Sequence, residues 1–293
     1  MSSSRRSSHS SGYSTFGIVG GGFVGSATSL LASDMYDCIV YDLDESKRKP
    51  AGCTLKDLVN ATVIFVCVPT PMNKDKSCYT GIVESVIHDI RRECPGVPIV
   101  VRSTVPVGFS ERMGVAFMPE FLTEKNWRND VANTDHWVFG AGPEDDAAYY
   151  AVKNILHAAE REGTICGSFM FRCYTNEAEM VKYFRNCYLA TKVAFCNEME
   201  KFCSAKNAEY NHMMNMVLQD QRIGHSHTSV PGPDGKHGFG GTCFPKDMNS
   251  LIAQMKSHNV ACPVITAAVE RNETIDRAEH DWMTGEYKNR AHV

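Results

Sequence analysis

The first half of the chain alternates two kinds of apolar patterning. Short runs rich in β-branched residues fall at 15–19 (TFGIV), 37–42 (DCIVYD), 62–68 (TVIFVCV) and 98–102 (PIVVR), and each reads as a strand. Two further strands are expected at 115–118 and 137–139. Between these runs the apolar spacing lengthens, which predicts helices over 23–32 and 82–92. Strand and helix in alternation predict an α/β fold, a Rossmann-type doubly wound parallel sheet with helices on both faces.

The pattern changes after residue 168. Residues 168–223 contain neither Gly nor Pro, and Asn176 with Glu179 resembles a capping box at a helix start. A helix of about 30 residues follows, roughly 45 Å long at 1.5 Å per residue. Its apolar residues, from Met180 to Phe202, cover more than one face. Such a helix is buried by its own domain, by another subunit, or by both. The expected organisation is a disordered tail over 1–12, a dinucleotide-binding domain over 13–168, a central helical domain over 169–275 and a charge-rich tail over 276–293.

Composition narrows the function. The chain has 293 residues, enough for two cores, with 43% hydrophobic and 22% charged residues, as in soluble globular proteins. A net charge of −4 does not suit bulk binding to nucleic acid, which needs a basic face. No apolar run of about 18 residues predicts a membrane span. Residues 1–12 are Ser-rich without an apolar stretch, which suits a solvated tail or a short targeting signal rather than a secretory leader. Twelve cysteines occur with no Cys-x-x-Cys spacing, so no metal site is expected. Reduced thiols in a cytoplasmic protein, mostly buried as small hydrophobes, are the expectation.

Gly20, Gly22 and Gly25 (GGGFVG) follow the first strand and open a helix, and an acid, Asp42, ends the second strand. Glycines there let the backbone approach a pyrophosphate lying on the helix N-terminus. Asp42 would accept from the ribose hydroxyls and repel a 2′-phosphate, which favours NAD over NADP; a solvated strand end is the plainer reading. Thr70 (VPTP) and Thr104 (STVPVG) fall in loops at the same carboxyl edge, where ligands bind such sheets. Turn chemistry alone would also explain them.

In the second half, Lys182 and Asn186 lie four apart and share a helix face, with Glu179 in reach of Lys182. From the helix alone, Lys182 reads more naturally as a solvated surface lysine. A glycine-rich loop, Gly238 to Gly241, runs into Cys243, with Pro245 and Asp247 just beyond. Pro245 suits the first turn of a helix, which places Cys243 at a helix N-terminus where the dipole favours a thiolate. Asp247 lies one turn on, where a carboxylate handles protons.

Taken in order, GGGFVG, VPTP, STVPVG, PEFLTE, EAEMVKYFRN and FGGTCFPKD resemble the UDP-glucose/GDP-mannose dehydrogenases over residues 13–275, with the FPKD ending closer to the UDP-glucose branch. The resemblance implies that Cys243 is a nucleophile and that Lys182 and Asn186 hold oxygen at the reacting carbon. It implies that Glu120 is an acid/base, that Asp247 orders water beside the thiol, and that Thr104 positions the reacting groups. Gly20, Gly22, Phe23, Val24, Gly25, Asp42, Lys47, Thr70, Thr104, Glu124 and Lys246 would contact NAD. Glu120, Phe121, Leu122, Lys182, Asn186, Phe239 and Gly240 would contact the sugar nucleotide, and Arg222 would reach the substrate of a neighbouring subunit, implying a homodimer.

The implied activity is a four-electron oxidation of UDP-glucose to UDP-glucuronate, in which a Cys243 thiohemiacetal becomes a thioester that water cleaves. Members of the family continue into a second α/β domain that helps bind the nucleotide, and no such domain is expected within this sequence. The stretches 42–62 and 108–118 are also short for the family. Two other readings stand beside this one: a dehydrogenase of another sugar nucleotide or hydroxy acid, and a non-catalytic NAD-binding protein.

Overall fold

Seven strands form one sheet in the computed structural model, which describes residues 13–123, 125–142 and 145–283. They are β1 (Ser14–Val19), β2 (Tyr36–Tyr41), β3 (Ile64–Val66), β4 (Ile99–Val101), β5 (Ala116–Phe117), β6 (His136–Gly140) and β7 (Phe169–Cys173), in the order β2-β1-β3-β4-β5-β6-β7. Every residue of β3 and of β4 is buried. Successive residues of a strand point to opposite faces, so both faces are covered here and the sequence reads as an unbroken apolar run. Phe16 and Phe65 meet edge to face at 5.9 Å within this core.

The strictly parallel sheet expected from the sequence is corrected at one step. β5 pairs with β6 antiparallel, through Phe117 and Gly140, while the other neighbours are parallel. With a two-residue β5, this ladder is too short for its direction to be legible in the pattern. β7 was hidden in the stretch without Gly or Pro; it runs parallel to β6 from His136↔Phe169 to Gly140↔Cys173.

The helices are α1 (Phe23–Thr28), α2 (Gly81–Glu93), α3 (Phe109–Met113), α4 (Trp127–Ala132), α5 (Asp146–Arg161), α6 (Thr175–Ala205), α7 (Tyr210–Val217), α8 (Phe244–Ser257) and α9 (Pro263–Arg271). The helix expected over 23–32 is α-helical only to Thr28 and then tightens into a 3₁₀ turn, Ser29–Leu31. Hydroxyls explain the change: Thr28 Oγ1 donates to Val24 O at 2.7 Å and Ser29 Oγ to Ser26 O at 2.7 Å, competing with the helical ladder.

Two compact units result. The first comprises Met1–Val68, Glu84–Ser103 and Met113–Thr175 and holds the whole sheet. The second comprises Pro69–Val83, Thr104–Arg112 and Asn176–Val293. β7 thus belongs with the sheet through its pairing to β6, and the loops after β3 and β4 belong with the helices.

In the second unit, Cys187, Ala190 and Ala194 of α6 pack with Phe239, with Met248 and Ile252 of α8, and with Ala268 and Val269 of α9. Small residues at 190 and 194 let the neighbouring helices approach closely. The opposite side of α6 is apolar too, yet exposed: Phe184 is 73% exposed, and Tyr188, Phe195 and Phe202 share that face. Phe184 and Tyr188 stack with parallel rings 6.1 Å apart.

Two expectations in this unit are corrected. The capping box at Asn176 and Glu179 does not form; the Glu179 carboxylate accepts from Gly108 N at 2.6 Å and Ser110 N at 2.9 Å, so it caps α3 from a distant helix. Residues 276–283, assigned above to a tail, are folded into the unit: Arg277 and Trp282 are each 5% exposed, the guanidinium paired with Asp234 and Asp281 and the indole stacked on His280. The remaining tail expectations, 1–12 and 284–293, lie outside the described residues.

Candidate active site

Three glycines after β1 each do something different. Gly20 has φ +102°, and a Cβ there would stand 2.6 Å from Cys67 O, so the turn hugs the end of β3. A Cβ on Gly25 would stand 1.9 Å from Gly20 O, so α1 lies directly on the turn. Gly22, the N-cap of α1, has nothing within 4 Å of where a Cβ would be. That is the open face a pyrophosphate needs, while Gly20 and Gly25 are small for the protein's own packing.

Asp42 sits at the end of β2 beside this turn. Its Oδ2 accepts from Gly21 N at 2.6 Å and its Oδ1 from Asp44 N at 2.8 Å. Both oxygens are oriented by backbone, and each keeps a lone pair for a further donor such as a ribose hydroxyl. Lys47 is exposed and pairs with Asp44 at 3.4 Å, with its Cβ packed against Gly21. Phe23 and Val24 are half-buried in the first turn of α1. These residues fit the adenosine and pyrophosphate of NAD.

Glu120, after β5, is buried, and its Oε2 accepts from Leu122 N at 2.9 Å. Phe121 and Leu122 are half-buried, and Leu122 packs on the sheet core. Glu124 lies outside the described residues.

The second unit gathers Cys243, Lys182, Asn186, Lys246 and Asp247. Cys243 is the N-cap residue of α8 and accepts the first helical bond, from Asp247 N at 2.9 Å. Asp247 is wholly buried with both oxygens engaged: Asn186 Nδ2 donates to Oδ2 at 2.6 Å and Lys246 Nζ to Oδ1 at 2.5 Å. Desolvation alone would lower the Lys246 ammonium, but the charge of Asp247, with Cys78 and Cys243 adding to it, raises it above its ordinary value. Losing one partner of such a buried pair costs roughly 3–5 kcal/mol.

Lys182 is 4% exposed, one turn before Asn186 on the same helix face. The solvated lysine suggested by the helix alone is therefore corrected: packing of α6 within its unit overrides the surface tendency of lysine. Thr104 O accepts from the thiol of Cys78 at 3.6 Å, and Thr70 hydrogen-bonds the same thiol. Burial pushes the Cys78 thiol up, and Lys246 pulls it back in part.

Some supporting residues had no local signal. Gln254 of α8 accepts from Val107 N at 2.8 Å, so α6 and α8 together hold the loop that carries Thr104. Lys192 donates to Ile223 O and Gly224 O, both at 2.9 Å, fixing the turn around Arg222. Arg222 is exposed and paired with Asp220 at 2.5 Å. Phe239 is buried, and Gly240 lies under the side chain of Arg277.

The sheet, the open glycine turn and the oriented carboxylate are those of a dinucleotide-binding protein. Residues 52–158 match the NAD binding domain of the UDP-glucose/GDP-mannose dehydrogenase family, and residues 176–274 match its central domain. The chain belongs to this family and uses NAD. A UDP-glucose 6-dehydrogenase of Rickettsia felis is 30% identical over 249 residues, covering 79% of this chain and 52% of that protein. The structure of a UDP-glucose dehydrogenase from Pyrobaculum islandicum superposes with a TM-score of 0.75 at 25% identity, covering 93% of this chain and 70% of that one. A GDP-mannose dehydrogenase from Pseudomonas aeruginosa shares the fold, with a TM-score of 0.63 at 23% identity and coverage of 88% and 68%. The chain spans about half the length of the curated relatives it matches. Among the described residues, no helix is long and apolar enough to cross a membrane, and no group of His, Cys, Asp and Glu could hold a metal ion.

Proposed function

We propose that this chain oxidises the primary alcohol of UDP-glucose to the carboxylate of UDP-glucuronate, using NAD and the thiol of Cys243. The observation that carries the reading is the buried set around Cys243, in which Asp247 is bound by Asn186 and Lys246 one turn beyond the thiol. NAD, when bound, accepts hydride in each of the two oxidations. Gly20, Gly22, Phe23, Val24, Gly25, Asp42 and Lys47 hold its adenosine diphosphate half, while Thr70, Thr104, Glu124 and Lys246 serve the remainder.

The chain's own residues manage oxygen, sulfur and protons. Lys182 Nζ and Asn186 Nδ2 steady the oxygen of the reacting carbon, where a cation and a donor oppose developing negative charge. The Cys243 thiolate, favoured at the N-terminus of α8, captures the aldehyde as a thiohemiacetal and holds the acyl group as a thioester. Glu120 moves the alcohol proton, and Asp247 orients water for thioester cleavage. Phe121, Leu122, Phe239 and Gly240 line the sugar nucleotide.

Two chains pair through the exposed aromatic face of α6, each sending Arg222 toward the other's substrate. A large exposed apolar surface is uncommon on a monomer and supports this reading. Phe195→Glu should yield monomer by light scattering; an unchanged mass excludes this face. The free thiols support a cytoplasmic location.

NADH formation by the purified chain with UDP-glucose tests the whole, against UDP-galactose, UDP-N-acetylglucosamine and GDP-mannose. Two NADH per UDP-glucose are expected. Preference for another member of the panel replaces the substrate, and no turnover with any of them rejects the reading.

A further inference from the structure

The loop that delivers Cys243 is held by side chains more than thirty residues away along the chain, on either side of it. Asn272 Oδ1 accepts from Phe239 N at 2.7 Å, and Asn272 Nδ2 donates to Phe239 O at 3.0 Å. This pairing fixes one residue's backbone on both its polar groups. Gly238 N donates to Asn197 Oδ1 at 3.1 Å. The loop has no ladder of its own here; three buried side-chain bonds replace one.

Arg277 completes the grip. A Cβ on Gly240 would stand 2.4 Å from Arg277 Cζ, so the guanidinium lies directly over that residue. The guanidinium cannot move aside easily. Its Nε and Nη2 donate to Asp281 at 2.7 and 2.8 Å, a bidentate fork, and Nη2 also pairs with Asp234 at 2.7 Å. Lys236, two residues past Asp234, bridges Glu279 at 3.1 Å and Asp281 at 2.7 Å. Residues 234–240 are thereby stapled to residues 272–281. Gly238 obeys the same constraint, since a Cβ there would stand 2.3 Å from Asn272 Oδ1. The clamp occupies the space at both glycines, and Gly238 in addition takes φ +68°, which favours glycine by itself.

The segment that carries the clamp is itself unusual. Asn272–Asp276 form a π-helical turn, closed by Arg277 N to Asn272 O at 2.9 Å. The widened turn puts Asn272 and Arg277 on the same side, against the loop. Such turns recur where a helix must redirect side chains to a site.

We propose that Arg277, with Asn272, is a positioning residue for the nucleophile loop: its anchored guanidinium sets the backbone at Gly240 and through it the thiol of Cys243. Arg277 touches no reacting atom in this role. The inference rests on Cys243 as the nucleophile and is independent of which sugar nucleotide is oxidised.

The test measures alkylation of Cys243 by iodoacetamide in the full chain, read by peptide mass spectrometry across pH, without substrate. Arg277→Met should change the alkylation rate at Cys243 at least about threefold and shift its pH profile, because the thiol leaves its place at the helix N-terminus. NAD affinity should stay at the wild-type value. Arg277→Lys should restore only part, since an ammonium cannot make the bidentate fork. Where wild type turns over, kcat should fall about a hundredfold in Arg277→Met, the usual cost of misplacing a reacting group by an ångström.

If Arg277→Met does not fold, Gly240→Ala asks the same question, because its methyl group must displace the guanidinium. A wild-type alkylation rate and pH profile in a folded Arg277→Met, or in Gly240→Ala, overturns the proposal. Absence of turnover by the wild type would instead reject the substrate reading while leaving the alkylation result to decide this one.

Discussion

The protein has two glycine-rich turns that solve the same problem in opposite ways. At 20–25 the backbone packs against backbone: Gly20 against Cys67 O, Gly25 against Gly20 O, with Asp42 bonding Gly21 N. At Gly238 and Gly240 the backbone packs against side chains, chiefly Asn272 and Arg277, while Gly241 is free of neighbours and takes φ +70°. The first turn leaves an open face at Gly22 and suits a ligand that must lie flat on peptide groups. The second has little room at Gly238 and Gly240 and delivers a single sulfur atom to one place. The first turn keeps one position open, at Gly22, where a ligand can lie; the second is filled at Gly238 and Gly240, the positions that Asn272 and Arg277 hold.

The largest effect that separates the two turns is loss of the thiol. Cys243→Ala should lower uronate formation by at least about 10³-fold, as removal of a nucleophile does, while calorimetric NAD affinity is unaltered. Uronate production at the wild-type rate would remove the thiol from the chemistry. Next comes packing within the first turn. Gly25→Ala should cost about 3 kcal/mol, since its Cβ would overlap Gly20 O, and lower Tm by about 6–12 °C. Gly22→Ala should leave Tm within about 2 °C, because nothing lies within 4 Å, and yet weaken NAD binding. Equal melting of the two variants would erase the distinction between packing and open glycines.

A smaller effect follows from Asp42→Ala, expected to weaken NAD about tenfold, the value of roughly 1.4 kcal/mol for lost charge-assisted bonds. Unchanged titrations would exclude the ribose contact.

The smallest effect is confined to acid. Hydrogen bonding to Arg277 lowers the Asp281 carboxyl to about 2 in the folded chain, below an unfolded value of about 3.9. A depressed carboxyl stabilises fully above its unfolded pKa and loses that stabilisation as pH falls toward its folded pKa. The clamp on the second turn should therefore be insensitive to pH above about 4 and weaken between about 4 and 2. Melting curves of wild type and Asp281→Asn should differ at pH 6 and converge as pH falls from about 4 toward 2; a constant gap would show that the pair carries no linkage.

Legibility in the sequence tracks how local each interaction is. The first turn was readable because Gly20, Gly22 and Gly25 follow a strand, and Asp42 ends the next one. Cys243 was readable from the glycines before it and Pro245 after it. Glu179 was misread because its sequence neighbourhood offered a capping box, whereas its partners, Gly108 and Ser110, sit at the start of α3, some seventy residues earlier. Lys182 carried the usual bias of lysine toward solvent, which the packing of α6 reverses. Arg277 looked like part of a solvated charge run, since nothing near it in sequence reveals that Asp234 and Gly240 come to meet it. β7 was lost because a short apolar run beside a long helix has no boundary marker. Patterns show what a segment prefers by itself, and these sites depend on what arrives from elsewhere.

Helix α6 sets one more constraint, on length rather than composition. Glu179, Lys182 and Asn186 lie on its buried face, and Phe184, Tyr188 and Phe195 on its exposed one. Each residue advances a helix by about 100°, so a single insertion or deletion between Asn186 and Phe195 would swing Phe195 a quarter-turn or more out of line with Phe184 and out of phase with Lys182 and Asn186. Substitutions can accumulate along this stretch one at a time, but indels cannot: the gene must keep its codon count there, or change it by steps near seven, for both faces to stay in phase.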